Sequence, residues 1–206
     1  MPEDTSLVLV VALGTILVSI TIHEAMHAYV GYWLGDDTAK LDGRLSLNPL
    51  RHIDPFLTIL LPIILALSGA PIFGAAKPVP FNPSKVKFGE FGAALVGIAG
   101  PLTNFFFALI GAMFIRLFMP SDLLLDIVLI FVQVNIGFFV FNMIPFPPLD
   151  GSRLLYAFAP EWLQRIMQQI EQLGFLGIAL FMFLLFPSIS SIIGNIMNSL
   201  LRWLLI

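Results

Sequence analysis

The chain has 206 residues, 58% of them hydrophobic and 11% charged, and its mean hydropathy of +0.96 lies far above that of a soluble globular domain. The composition is that of a membrane protein, and a formal charge of -3 gives no reason to expect a nucleic-acid partner. There is no cysteine, which excludes disulfides, thiolate metal sites and thiol nucleophiles.

In chain order, the first apolar run spans about Ser6 to Leu34 and is punctuated by Gly35, Asp36 and Asp37. Only Glu3 and Asp4 precede it, so an uncleaved first span is expected. In the polar stretch that follows, alternation from Leu41 to Leu47 predicts a short strand. The apolar run from Phe56 to Ala70 is interrupted by Pro62 and falls short of the roughly 20 residues that cross a bilayer, so it is expected to dip in and return. The segment GAAKPVPFNPSKVKF reads as a loop or edge hairpin. A second clear span covers about Phe91 to Met119, and a third covers Leu123 to Phe141 and runs into NMIPFPPLDG. Pro160 to Gln172 reads as an amphipathic interfacial helix. The tail holds a span to about Phe186 and, after Pro187, a stretch that either crosses again or lies on the surface. No repeat or linker divides residues 1–206. The expected fold is a single all-α polytopic membrane domain with about four to six membrane segments, one re-entrant, and a small β element near the cytoplasmic face.

Charge orients it. With a re-entrant Phe56 to Ala70, the basic residues Lys40, Arg44, Arg51, Lys77, Lys85, Lys87, Arg153 and Arg165 share one side, and Arg116 and Arg202 are the exceptions. The positive-inside rule makes the shared side cytoplasmic, in a multi-pass protein of the inner (plasma) membrane.

The stretch TIHEAMHAYV sets a glutamate and two histidines in the first span. A central Asp costs roughly 2.5–3.5 kcal/mol on insertion scales, so such a cluster calls for a partner. His23 and His27 are four residues apart and share one helix face. The pattern H-E-x-x-H suits zinc held by both imidazoles, with Glu24 as the base that takes a proton from the activated water. The plain alternative is a buried polar cluster tying helices together. A catalytic zinc needs a third protein ligand, here His52 or a carboxylate. Asp150 is best placed, beside three prolines and Gly151 in a stretch that cannot form a regular helix; its alternative is a helix cap. His52 reads as a loop-packing histidine, Asp36, Asp37, Asp42 and Asp54 as a solvated rim, and Glu161 and Glu171 as water-facing.

HEAMH, AKPVPFNP, GPLTN and NMIPFPPLDG together resemble the site-2 protease family of intramembrane zinc metalloproteases, most closely its short bacterial members without PDZ or C-terminal sensory domains. The resemblance runs from about His23 to Gly151. It implies one zinc held by His23, His27 and Asp150, Glu24 as catalytic base, and substrate contacts from Asn104 and Asn142. The implied activity is hydrolysis of a peptide bond in or near a transmembrane helix of another protein, with the edge around Lys77 to Phe81 holding the unwound substrate by β-addition. The alternatives are a divalent-metal transporter built on the same HEAMH motif and a metalloprotease whose third ligand is Glu161 or Glu171.

Overall fold

The computed structural model describes residues 5–68 and 76–206. Helix α1 (Thr5–Trp33) carries no charge before Glu24, and at 1.5 Å per residue its 29 residues extend about 44 Å. Gly35, at φ 110, turns the chain out of it, since a left-handed backbone is open to glycine without a Cβ clash. The short α2 (Thr38–Leu41) follows.

The expected strand over Leu41 to Leu47 does not form. Leu41 is 77% and Leu47 60% exposed, while Arg44 is 2% exposed. The buried position falls on the charged Arg44, and a 3-10 turn, Pro49–Arg51, capped by Asn48, closes the segment instead. Among the described residues there is no strand.

Asp54 then accepts from the backbone N–H groups of Phe56 and Leu57 and starts a π turn, Pro55–Leu60, that continues as α3 (Leu61–Ser68). Among the described residues, six and eight residues make about 21 Å of helix, less than the hydrocarbon thickness of about 30 Å. The excursion ends where it began, because the Lys77 N–H donates to the His52 carbonyl at 2.9 Å. Both ends therefore lie together, as a re-entrant segment requires. Part of the loop or edge hairpin expected over GAAKPVPFNPSKVKF lies outside the described residues; from Ala76 to Asn82 the chain is non-helical, then makes a 3-10 turn, Pro83–Lys85.

Helices α4 (Glu90–Phe118) and α5 (Asp122–Asn142) form an antiparallel pair. α4 is the central element: 44% of its span is buried, against 17–22% for the other three membrane-length helices. Its buried face consists largely of Gly, Ala and Val with Asn104, and small residues let helices approach where lipid supplies no hydrophobic drive for association.

A turn after α5 leads to α6 (Gly151–Phe158) and the amphipathic α7 (Glu161–Gln172). The tail is helical throughout, as α8 (Phe175–Leu180), a π turn (Phe181–Leu185) and α9 (Phe186–Leu205). Pro187 does not break it: the widened turn just before the proline accommodates the missing N–H and the ring. Ile193 and Leu204 of α9 pack with Ala108, Ala112, Val132 and Ile136 of the central pair. Among the described residues, four helices are long and apolar enough to cross a membrane: Ser6–Trp33, Glu90–Phe118, Asp122–Asn142 and Leu176–Leu205.

Candidate metal centre

His23 and His27 stack one turn apart on α1, as their spacing requires. Nδ1 of His27 lies 2.7 Å from the Val96 carbonyl, which can only accept, so this nitrogen carries the ring proton and Nε2 is left with a lone pair. Nδ1 of His23 lies 2.6 Å from Oδ1 of Asn104. The two Nε2 atoms face each other at 3.1 Å.

Asp150 reaches this pair from the other end of the sequence. The turn that carries it is built by chain-local bonds, from Phe146 N–H to the Ile144 carbonyl and from Leu149 N–H to the Phe146 carbonyl. It can close because residue 151 is glycine: a Cβ there would come within 2.9 Å of the Ile144 carbonyl and closer still to that of Met143. Asp150 occupies the cap position of α6 yet makes no side-chain capping bond. Its Oδ2 instead lies 3.0 Å from His23 Nε2 and 3.4 Å from His27 Nε2, so the helix-cap reading does not hold.

The donor set fits a metal ion. Ligand atoms about 2.0–2.1 Å from a tetrahedral zinc stand about 3.3 Å from each other, and the three separations here are 3.0, 3.1 and 3.4 Å. Oxygen and nitrogen lone pairs converge there, an arrangement a cation stabilises. Gly100 on α4 leaves the room: a Cβ at this position would lie 2.6 Å from His23 Nε2 and nearer still to His27 Nε2. Among the described residues, His23, His27 and Asp150 form the one such ligand group.

Glu24, His27 and Asp150 open onto a cleft of about 360 Å³ whose other walls include Val79, Phe81 and Arg153. The segment from Lys77 to Phe81 runs across it as a strap. Lys77 and Val79 each precede a proline, which biases both toward extended backbone, and the Val79 N–H donates to Glu24 Oε2 at 3.2 Å. One end of the strap is held by the buried Arg44, which donates to the carbonyls of Arg51, Lys77 and Pro78. The other end is held by Asp36, whose Oδ2 accepts from the Asn82 N–H at 2.7 Å.

Asp36 is thus no part of a solvated rim; it is 3% exposed. Burial pushes its carboxyl up, but bonds from Asn82 and Thr38 outweigh this and hold it below the ordinary carboxylate range. His52 packs the loop as expected, its Nε2 2.7 Å from the Ser46 carbonyl. Glu161 is exposed and pairs with Arg165, whereas Glu171 lines the cleft and pairs with Arg153. Neither asparagine expected to hold substrate lines the cleft. Asn104 is fully buried against His23, and Asn142 donates to the Phe138 carbonyl of its own helix at 3.0 Å. Sequence reasoning missed Arg44, Asp36 and the space kept by Gly100.

Comparison with known proteins gives the family. Peptidase family M50 matches residues 119–186, the stretch that carries Asp150. YwhC of Bacillus subtilis, whose name assigns it to the zinc metalloproteases, is 40% identical over 171 residues, 79% of this chain and 75% of its own. The chain belongs to peptidase family M50. It is accordingly a metalloprotease of the site-2 protease family, which displaces the transporter alternative. Two proteins named Rip2, likewise assigned to the zinc metalloproteases, are 29% identical to this M50 chain. The one from Mycolicibacterium smegmatis aligns over 78% of the chain and 61% of its own length, and the one from Mycobacterium tuberculosis over 80% and 63%. No solved structure matches the chain.

Proposed function

We propose that the chain is a zinc-dependent intramembrane endopeptidase that hydrolyses a peptide bond in or near a transmembrane helix of a membrane-protein substrate. The observation that carries this reading is the meeting of His23, His27 and Asp150 within 3.0–3.4 Å beside Glu24 in one cleft. Depth supports it as well. His23 and His27 lie about 5 and 11 Å past the midpoint of a helix spanning residues 6–33, inside a hydrocarbon half-thickness of about 15 Å.

His23, His27 and Asp150 are the ligands that would hold one zinc per chain. Bound there, zinc supplies Lewis-acid polarisation of the scissile carbonyl and acidifies the attacking water. Glu24 is the catalytic base: its carboxylate receives the proton of that water and passes it to the leaving nitrogen. The Val79 N–H orients Glu24 from the strap. A helical substrate hides its carbonyls in internal hydrogen bonds and must unwind to enter. The strap, which pairs with no strand among the described residues, is suited to hold the opened segment by β-addition.

The basic residues near the cleft, Arg153 among them, favour a cytoplasmic active site in the inner membrane, with the lipid bilayer as the working environment. The test is Glu24→Gln, measured for zinc content and for cleavage of a model membrane substrate. The variant is expected to keep zinc and lose about 10²–10⁴-fold in rate; cleavage at the normal rate refutes the assignment of Glu24.

A further inference from the structure

We propose that Asn135, on α5, is a positioning residue for the metal ligand His23: acting through Asn104, it decides which ring nitrogen of His23 carries the proton. The inference rests on the zinc reading above, and it assigns a task to a polar residue that touches neither ligand nor cleft.

Donors and acceptors fix the direction of each amide in turn. Nδ2 of Asn135 lies 2.9 Å from the Phe131 carbonyl of its own helix. A backbone carbonyl only accepts, so the NH₂ end of the amide faces it and the oxygen end faces away. That oxygen receives Nδ2 of Asn104 at 2.9 Å. The same Asn104 NH₂ points toward the Ser19 carbonyl on α1 at 3.5 Å, so a second acceptor agrees on its direction. Oδ1 of Asn104 is thereby turned to His23, 2.6 Å from Nδ1. Two successive amides thus transmit the polarity of one carbonyl to an imidazole two helices away, and Nδ1 of His23 must donate. In the neutral ring Nε2 then bears the lone pair, and it is Nε2 that faces His27 and Asp150.

The three side chains of this relay are enclosed. Asn104 and Asn135 are 0% exposed and His23 4%, so no bulk water competes for the amide groups, and a flipped amide would set two acceptors or two donors against each other. A buried asparagine that served only to tie α4 to α5 would do so in either orientation of His23. Here the orientation is fixed from outside the ligand, as metal-bound histidines are commonly fixed by the partner of their second nitrogen.

The experiment uses the full chain in detergent, labelled with ¹⁵N-histidine, read metal-free for ring tautomer and then titrated with zinc against a chelator. Only three histidines are present, so the ring signals can be separated with His23→Gln and His52→Gln references. In the unsubstituted chain His23 is expected to carry a proton on Nδ1, with or without a second proton on the Nε2 that faces Asp150 in the metal-free state. Asn135→Leu releases the Asn104 amide and is expected to shift His23 toward the Nε2–H form and weaken zinc about 10–100-fold. Asn135→Asp, a neutral acid when buried, donates O–H to Phe131 and accepts from Asn104, and is expected to restore both readouts. Should Asn135→Leu not fold, Asn135→Ala is read in its place. An unchanged tautomer with or without weaker zinc overturns the proposal, as does an Asn135→Asp variant no better than Asn135→Leu. If the unsubstituted chain shows the Nδ1–H form but binds no zinc, the zinc reading fails and the relay stands.

Discussion

Gly100→Ala tests the site with a single methyl group. The added Cβ would lie 2.6 Å from His23 Nε2, and a Cβ needs about 3.0 Å at the least, so the imidazole must withdraw by about 0.4 Å (3.0 less 2.6). Ligand distances at a metal tolerate about 0.2 Å, half of that displacement. The rings cannot simply pivot, because His23 Nδ1 is held by Asn104 and His27 Nδ1 by the Val96 carbonyl. In the helix itself alanine is favoured over glycine by about 0.8–1.0 kcal/mol, which offsets part of a typical overpacking cost of about 1–3 kcal/mol. The variant is therefore expected to fold with a melting temperature within about 10 °C of the parent while zinc affinity falls at least 100-fold, since two of the three proposed ligands are displaced. Melting in detergent and chelator competition read the two effects separately. Zinc bound at parental affinity would refute the placement of the metal among these three side chains.

Asp150→Asn should strip zinc while Glu171→Gln retains it, checked by metal content after dialysis, because only Asp150 lies within 3.4 Å of both imidazoles. Arg44→Met leaves the carbonyls of Arg51, Lys77 and Pro78 without their buried donor; a loss of about 2–4 kcal/mol and earlier protease cutting between residues 76 and 82 are expected, and an unchanged melting temperature and digestion pattern would count against the strap. For Asp36 the folded carboxyl sits below its ordinary value, so its contribution is complete above the unfolded pKa near 4 and is lost as pH falls toward the folded one. Asp36→Asn should flatten the acid limb of the melting curve below about pH 4 and leave the neutral limb parallel to the parent; an unaltered acid limb excludes the bond to Asn82 as a stability element.

What the sequence revealed and hid follows from where the physical cost falls. An ionisable group in an apolar run is expensive wherever the run goes, so His23, Glu24 and His27 stand out without coordinates, and three prolines before Asp150 announce a broken backbone at similar depth. The same rule points at Asn135, another polar side chain inside a span, but the partner that gives it meaning is 31 residues away at Asn104, and pairing across helices leaves no trace in spacing. Asp36 sits among charged neighbours and reads as surface; it is buried only because the strap folds back onto it from residue 82. Gly100 carries no chemistry, and its importance lies in an atom it lacks.

The spacing in GPLTN then has a geometric reason. His23 and His27 are four residues apart on α1, and the groups that hold their Nδ1 atoms, Asn104 and the carbonyl of Val96, lie eight residues apart on α4 with Gly100 midway. Four residues return a helix to nearly the same face, so Val96, Gly100 and Asn104 form one stripe, and in an antiparallel neighbour it meets the histidines in reverse order, carbonyl to His27 and amide to His23. The glycine falls opposite the gap between the rings, where Asp150 enters. α4 adds no side chain to the His23, His27 and Asp150 group, yet two of its four-residue steps bracket the single step between the histidines. Adding or removing one residue between Gly100 and Asn104 would swing the amide about 100° around the helix and leave His23 Nδ1 facing the wrong side chain, even with every ligand in place.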